Sequence, residues 1–213
     1  MKKHVIFDFD GTIFNSNDII VDSWQAVFMH YYGKPGDVNE ILETFGETIA
    51  FTVEKFFPDE DPAEAVSVYR SYQAAHYEGK IDLFPGTQAL IKKLRAMGRT
   101  VSLVTSRTKK TCFEYLNALD IEDLFDVIVT CDDVTEHKPH PGPLFLALEK
   151  LGAVPEDAIM LGDTKFDMGC AKNAGVESVL VGWSHPVNMD EIIANGWEPA
   201  HVINDPEEML DLV

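Results

Sequence analysis

Basic residues are scarce in this sequence. Only 17 Lys and Arg stand against 36 Asp and Glu, a formal charge of −19 over 213 residues. The imbalance comes from missing bases and not from an acidic tail. So acidic a chain repels phosphate backbones, which argues against general nucleic-acid binding. Cysteine is scarce too. Cys112, Cys131 and Cys170 show no metal-site spacing and cannot all pair, so they read as reduced thiols of a cytoplasmic protein. No apolar run approaches the ~18 residues needed to span a bilayer. Asp8 and Asp10 interrupt the only candidate for a secretory signal, which needs an unbroken apolar stretch. There is no repeat, no low-complexity tract and no long linker. The remaining composition, 46% hydrophobic and 25% charged, is that of an ordinary globular protein.

The hydrophobic period changes along the chain. Val5-Ile6-Phe7 reads as a buried strand that exits at Asp8-Phe9-Asp10-Gly11. From Asn17 to Gly79 the pattern is helical. Asp61-Pro62-Ala63-Glu64 carries a capping Asp, a first-turn Pro and an acidic residue three positions after the cap. The helix it opens is expected to present Ala65, Val68, Tyr69, Tyr72 and His76 on one face. Ile49, Val53, Phe56 and Phe57 form a similar stripe just before it. Beyond Phe84-Pro85-Gly86, strands and helices alternate. Strands are expected at 101–105, 125–129, 158–162, 179–181 and 202–203, with a helix before or between each. This alternation predicts an α/β fold with a doubly wound parallel sheet, and the helical block is an insert after the first strand.

Ligands of such sheets bind beyond the carboxyl ends of the strands. The first strand delivers Asp8, Asp10, Gly11 and Thr12 there. The second delivers Thr105, Ser106 and Arg107. The third leads into Lys138-Pro139-His140-Pro141, and the fourth delivers Asp163 and Asp167. Four carboxylates gathered in one place repel one another and call for a cation. Oxygen ligands suit Mg²⁺. Hydroxyls, amides and one lysine suit a phosphoryl group beside that metal.

Asp8-Phe9-Asp10-Gly11-Thr12, Thr105, Lys138 and Gly162-Asp163-x-x-x-Asp167 resemble the four motifs of the haloacid dehalogenase-like phosphatases. The helical insert resembles the C1 cap of that superfamily, so residues 1–15 and 83–213 would form a Rossmann-like core and 16–82 the cap. Phe84-Pro85-Gly86, the stretch from Val127 to Pro143 and Val181-Gly182-Trp183 look like the phosphoglycolate phosphatase and PpaX-type pyrophosphatase subgroup. The resemblance implies a cytoplasmic, Mg²⁺-dependent phosphohydrolase acting on a small phosphorylated metabolite, with no nucleic-acid or membrane partner. Asp8 would be the nucleophile that forms an aspartyl-phosphate, and Asp10 the general acid and base. By the same resemblance Asp8, the Asp10 carbonyl and Asp163 would hold Mg²⁺. Thr105, Ser106 and Lys138 would bind the phosphoryl oxygens. Gly11, Thr12 and Asp167 would support them.

Two departures bear on substrate. Asn15-Ser16 stands where the family often has Asp-Ser. Sugar-phosphate mutases place a cap arginine shortly after a Gly, whereas Gly46 is followed by Glu47, Thr48 and Ile49, and Arg70 is the single arginine between Asn17 and Gly79. Lack of cap bases disfavours holding a second phosphate there, hence hydrolysis over mutase chemistry. It also weakens phosphoglycolate as substrate. Pyrophosphate, suggested by Asp132-Asp133-Val134-Thr135 ahead of Lys138, a β-phosphoglucomutase-like activity, and a catalytically silent binding protein on the same fold remain the alternatives. His137, His140 and most of the cap's aromatic residues read as structural, and Arg107 as solvated or ion-paired.

Overall fold

The computed structural model describes residues 1–77, 80 and 82–213. Six strands, β1 (His4–Phe7), β2 (Thr100–Val104), β3 (Val127–Val129), β4 (Ala158–Gly162), β5 (Glu177–Val181) and β6 (His201–Ile203), form one parallel sheet in the order β3-β2-β1-β4-β5-β6. Every pairing is parallel, and the strand order reverses at β1, so the sheet is doubly wound. Both faces are covered, which is why the central strands are apolar throughout and not alternating. Their side chains nevertheless alternate between two cores. Val5, Phe7, Val101, Leu103, Ile159 and Leu161 join one cluster. Ile6, Val104, Ala158 and Met160 join the other, as the two-residue strand period requires.

Helices α5 (Thr87–Ala96), α6 (Lys109–Ala118), α7 (Gly142–Leu151), α8 (Lys165–Ala174) and α9 (Met189–Ala194) flank the sheet. Strand β3 is shorter than the sequence pattern predicts. Asp126 takes over part of the ladder with its side chain, which accepts a hydrogen bond from the Val101 amide at 2.8 Å. Helix α9 escapes sequence reading because only Ile192 of its residues is buried. Cys112 and Cys170 lie buried in α6 and α8. Burial pushes both thiols up to about 12, so they pack as apolar fillers.

Between β1 and α5 lie α1 (Asn17–Tyr32), α2 (Val38–Leu42), α3 (Ile49–Phe56) and α4 (Pro62–His76). They enclose a core of their own around Trp24, Val27, Ile41, Val53, Phe57 and Tyr69. Trp24 anchors it, with the Tyr69 ring 4.6 Å away. The expected cap of α4 is present: Asp61 accepts a hydrogen bond from the Ala63 amide at 2.9 Å. The buried face of that helix differs from expectation. It is Ala65, Tyr69 and Gln73, while Tyr72 is half-buried and His76 is exposed. Stepping by four selects a slightly rotated stripe and brings in a glutamine that apolar patterning passes over. The predicted end of the helical block at Gly79 lies outside the described residues.

The chain passes between the helical group and the sheet along two paired segments. The Asn15 amide donates to the Asp82 carbonyl at 2.9 Å and the Phe84 amide to the Ile13 carbonyl at 2.9 Å. Among the described residues, no helix is long and apolar enough to cross a membrane.

Candidate active site

Asp8 follows directly on β1, and its amide still donates to the Leu161 carbonyl at 2.8 Å. Asp163 follows directly on β4. The two carboxylates therefore sit on neighbouring strands where the sheet order reverses, which is where open α/β sheets bind ligands. Gly11 turns the chain between them with φ +74°, and a Cβ there would lie 1.8 Å from Asp163 Oδ2. Both the backbone angle and the close approach demand glycine. Gly11→Ala is expected to displace Asp163 and lower turnover by about 10²-fold or more. Phosphate release from p-nitrophenyl phosphate checks this, and near-wild-type turnover would show that the close approach is immaterial.

Lys138 reaches between two acids. Its Nζ lies 2.6 Å from Asp8 Oδ1 and 2.7 Å from Asp167 Oδ1, and its side chain is 2% exposed. Asp167 is held by a purely local device. It occupies the first turn of α8, where its Oδ2 accepts hydrogen bonds from the Thr164 hydroxyl at 2.6 Å and amide at 3.1 Å. Thr164 caps the same helix. Gly162 makes room, since a Cβ there would lie 2.3 Å from the Asp167 Cβ.

The charge balance of this cluster is uneven. Asp8, Asp163 and Asp167 each offer an oxygen, all within 4.8 Å of one another, and all three residues are buried. Burial pushes the Asp8 carboxyl well up. Lys138 pulls it back, while Asp167 and Asp163 push further. Burial raises the Asp163 carboxyl as well, against the pull of His185, whose Nδ1 is 3.2 Å away. Burial also opposes the charge of Lys138, but Asp167 and Asp8 outweigh it and hold its pKa above the ordinary lysine range. One lysine cannot neutralise three buried carboxylates. A divalent cation bound by oxygen donors fits the deficit.

Asp10 is turned to a different partner. Arg107 Nε and Nη2 lie 2.6 Å from its Oδ2 and Oδ1, a two-pronged pair. The Ser16 hydroxyl donates to Oδ1 at 2.5 Å. Arg107 is 7% exposed, with its guanidinium 4.4 Å from the Tyr115 ring centre and 5.3 Å from that of Phe14. It is thus ion-paired, and not solvated. Among the described residues its buried Nη1 has no hydrogen-bond partner. Ser16, the residue retained at the departure from the usual motif, acts on the same carboxylate.

Thr105 and Ser106 follow β2. The Thr105 hydroxyl accepts a hydrogen bond from the Arg107 amide at 3.1 Å. The Ser106 hydroxyl donates to the Gly46 carbonyl at 2.7 Å, which ties the loop before α3 to the sheet. The side chain of Ser106 is therefore engaged elsewhere. A cavity of about 70 Å³ brings together Asp8, Asp10, Thr105, Ser106 and Asp163 from the sheet with Glu47 and Arg70 from the helical group. Lys138, Asp167, Gly11 and Thr12 stand behind this wall.

The fifth strand end, which carries none of the expected site residues, also contributes. Ser184 Oγ donates to Asp163 Oδ2 at 2.8 Å, His185 approaches the same oxygen, and the Trp183 indole donates to the Thr12 carbonyl at 3.0 Å. The only available signal was position, three residues after a strand. The acids of the Asp132-Asp133-Val134-Thr135 stretch are engaged away from the cavity. Asp133 accepts hydrogen bonds from the Thr130 hydroxyl at 2.7 Å and amide at 2.8 Å, and Asp132 accepts one from the Lys109 amide at 2.7 Å. Neither lines the cavity. His140 is exposed and faces Glu136.

The model of the haloacid dehalogenase-like hydrolases matches residues 5–181, a span that contains every side chain of the site described above except Trp183, Ser184 and His185. The chain belongs to that family. Pyrophosphatase PpaX of Halalkalibacterium halodurans is 33% identical over 210 residues, covering 98% of this chain and 95% of that one. A haloacid dehalogenase-like hydrolase from Bacteroides fragilis superposes with TM-score 0.86 at 25% identity, covering 96% and 98% of the two chains. A candidate phosphoglycolate phosphatase from Lactobacillus plantarum superposes with TM-score 0.85 at 27% identity over the full length of both. The chain is thus a phosphatase-type hydrolase, from a family that generally uses a divalent metal.

Proposed function

We propose that this member of the family is a Mg²⁺-dependent phosphohydrolase that cleaves a compact phosphorylated metabolite through an aspartyl-phosphate on Asp8. One observation carries the reading. Lys138 holds one Asp8 oxygen, while among the described residues nothing is hydrogen-bonded to the other, and Asp8 lines the cavity. An anchored carboxylate with a free oxygen is a positioned nucleophile.

In the proposed reaction that oxygen attacks phosphorus, and the bond from phosphorus to the leaving oxygen breaks. Asp10 gives the leaving oxygen its proton. A water then gives a proton back to Asp10 and attacks the phosphoryl group, which restores the Asp8 carboxylate and releases phosphate. Arg107 and Ser16 hold Asp10 at the cavity wall, so one of their contacts with it must yield when Asp10 meets the substrate. Asp8, Asp163 and the Asp10 main-chain carbonyl would hold Mg²⁺. When bound, the ion neutralises charge on the phosphoryl oxygens. Thr105 and the Ser106 amide would orient those oxygens, and Lys138 would offset developing charge. Asp167 aligns Lys138. Residues 16–82 would act as a cap that closes over substrate, hinged at the paired segments 14–17 and 82–86.

The cleft accommodates a compact substrate. About 70 Å³ holds roughly five to seven water-sized groups, which suits the phosphoryl end of a small monoester. The scarcity of basic residues between Asn17 and Gly79 disfavours the mutase alternative. A second reading, pyrophosphate as substrate, is favoured by the PpaX relative that matches nearly the whole chain. Reduced cysteines and the acidic charge fit a cytoplasmic enzyme whose partners are small molecules.

The test is phosphate release from small phosphomonoesters and pyrophosphate, with Mg²⁺ and with EDTA. Release is expected with Mg²⁺ and is expected to disappear in EDTA. Absence of both turnover and phosphorylated Asp8 across the panel would remove the hydrolase reading and leave a silent binder.

A further inference from the structure

Arg70 is the one arginine among residues 16–82. It lies on α4 one position after buried Tyr69, so the helix turns it out of the cap's core and into the cleft. There it lines the same cavity as Asp8 and Thr105. Its guanidinium is half-buried and donates to the Gln73 side-chain oxygen at 3.1 Å. Gln73 is itself fixed, because its amide nitrogen donates to the Tyr69 hydroxyl at 3.1 Å. Tyr69 and Gln73 are 3% and 4% exposed. A buried relay thus aims Arg70.

Among the described residues no carboxylate forms a salt bridge with Arg70. Burial lowers its pKa and the Arg107 charge acts in the same direction, only partly offset by Tyr69 and Asp10. Asp10 is near, but Arg107 already occupies both its oxygens. The carboxylate on the cap wall, Glu47, is matched by Thr52 at 3.1 Å and Lys55 at 3.9 Å. A half-buried guanidinium without a counter-charge is costly unless an anion arrives to pair with it. In a chain of net charge −19, that no described acidic residue pairs with this one arginine is informative.

We propose that Arg70 reads a negative charge on the leaving group, so that the enzyme prefers small phosphates whose far end is itself anionic. The inference rests on the hydrolase reading and deepens it. Few cap bases argued against such a substrate, but the placement of the single arginine reverses that argument. One fork-shaped cation facing the phosphoryl seat is enough to select a carboxylate or a second phosphoryl group.

Two acidic-ended substrates, phosphoglycolate and pyrophosphate, are compared with 2-hydroxyethyl phosphate, which ends in a neutral hydroxyl. In Arg70→Gln the ratio of kcat/KM for either acidic substrate to that for 2-hydroxyethyl phosphate is expected to fall by about tenfold or more, mainly through KM. Arg70→Lys is expected to recover part of the ratio. The larger fall identifies a carboxylate or a phosphoryl group as the natural end. A ratio that falls by less than this overturns the proposal, whatever the absolute activities. Calorimetric binding of phosphoglycolate and pyrophosphate to Asp8→Asn, with and without Arg70→Gln, is independent of turnover. Affinity for at least one ligand is expected to weaken about tenfold. Unchanged affinity for both overturns the proposal. If the wild type turns over nothing, the hydrolase reading fails while this binding result still decides the role of Arg70.

Discussion

Asp8→Asn is expected to abolish phosphate release and the phosphoenzyme, with turnover down about 10⁴-fold or more, as for other lost nucleophiles. The fold should not suffer. Asp8 is 5% exposed, and burial pushes its carboxyl well above the ordinary range, so the folded state disfavours the ionised form. A neutral amide of the same shape removes one charge from an overcrowded cluster. Lys138 keeps Asp167 at 2.7 Å. Thermal melting should therefore give an unchanged or higher midpoint beside complete loss of turnover. Turnover retained in this variant would sink the covalent mechanism, and a large fall in melting temperature would show that Asp8 is structural.

Lys138→Met is expected to do the reverse to stability. It leaves Asp8 and Asp167 facing each other in a buried site without their shared cation. Removing one partner of a buried pair costs about 3–5 kcal/mol. For a chain of this size that is a fall of about 6–20 °C in melting temperature, measured in EDTA so that no metal compensates. Asp167→Asn added to Lys138→Met should recover part of the loss, because it removes one of the stranded charges. A fall below about 1 kcal/mol, the level of an exposed ion pair, would mean that Lys138 does not carry the charge balance of the site. Activity is expected to fall as well, since Asp8 would lose the contact that leaves only one of its oxygens free.

These two residues also mark what can be read from local sequence. Asp8, Asp10 and Gly11 stand next to a strand, and their role as a turn bearing acids is visible within four positions. Thr164 and Asp167 form a capping box, also within four positions. Lys138 was legible by its family-like place in the chain, but its pairing was not. Its partners lie 130 and 29 residues away. Arg107 shows the limit clearly. In sequence it is one basic residue after a strand, and a solvated arginine looks the same. Its pairing with Asp10 spans 97 residues and exists because β1 and β2 are neighbours.

Patterning by hydrophobicity alone also misplaced the inner face of α4. Tyr72 and His76 are amphipathic and fit the expected stripe, yet the helix buries Gln73. A glutamine is tolerated there because Tyr69 and Arg70 satisfy both ends of its amide. Both partners lie one turn back on the same helix, a polar spacing that a count of apolar residues alone passes over.

The sequence by itself determined the parallel α/β sheet, the helical insert after the first strand, and the acids, hydroxyls and lysine at the strand ends. These are matters of period, capping and spacing, which act over a few residues. Only the tertiary structure decided which charges meet. It placed Arg107 on Asp10, Ser184 and His185 on Asp163, and Arg70 in the cleft with no acidic partner among the described residues. Charge pairing depends on distances between segments that are remote in the chain, and those distances exist only once the sheet is assembled and both groups of helices are packed.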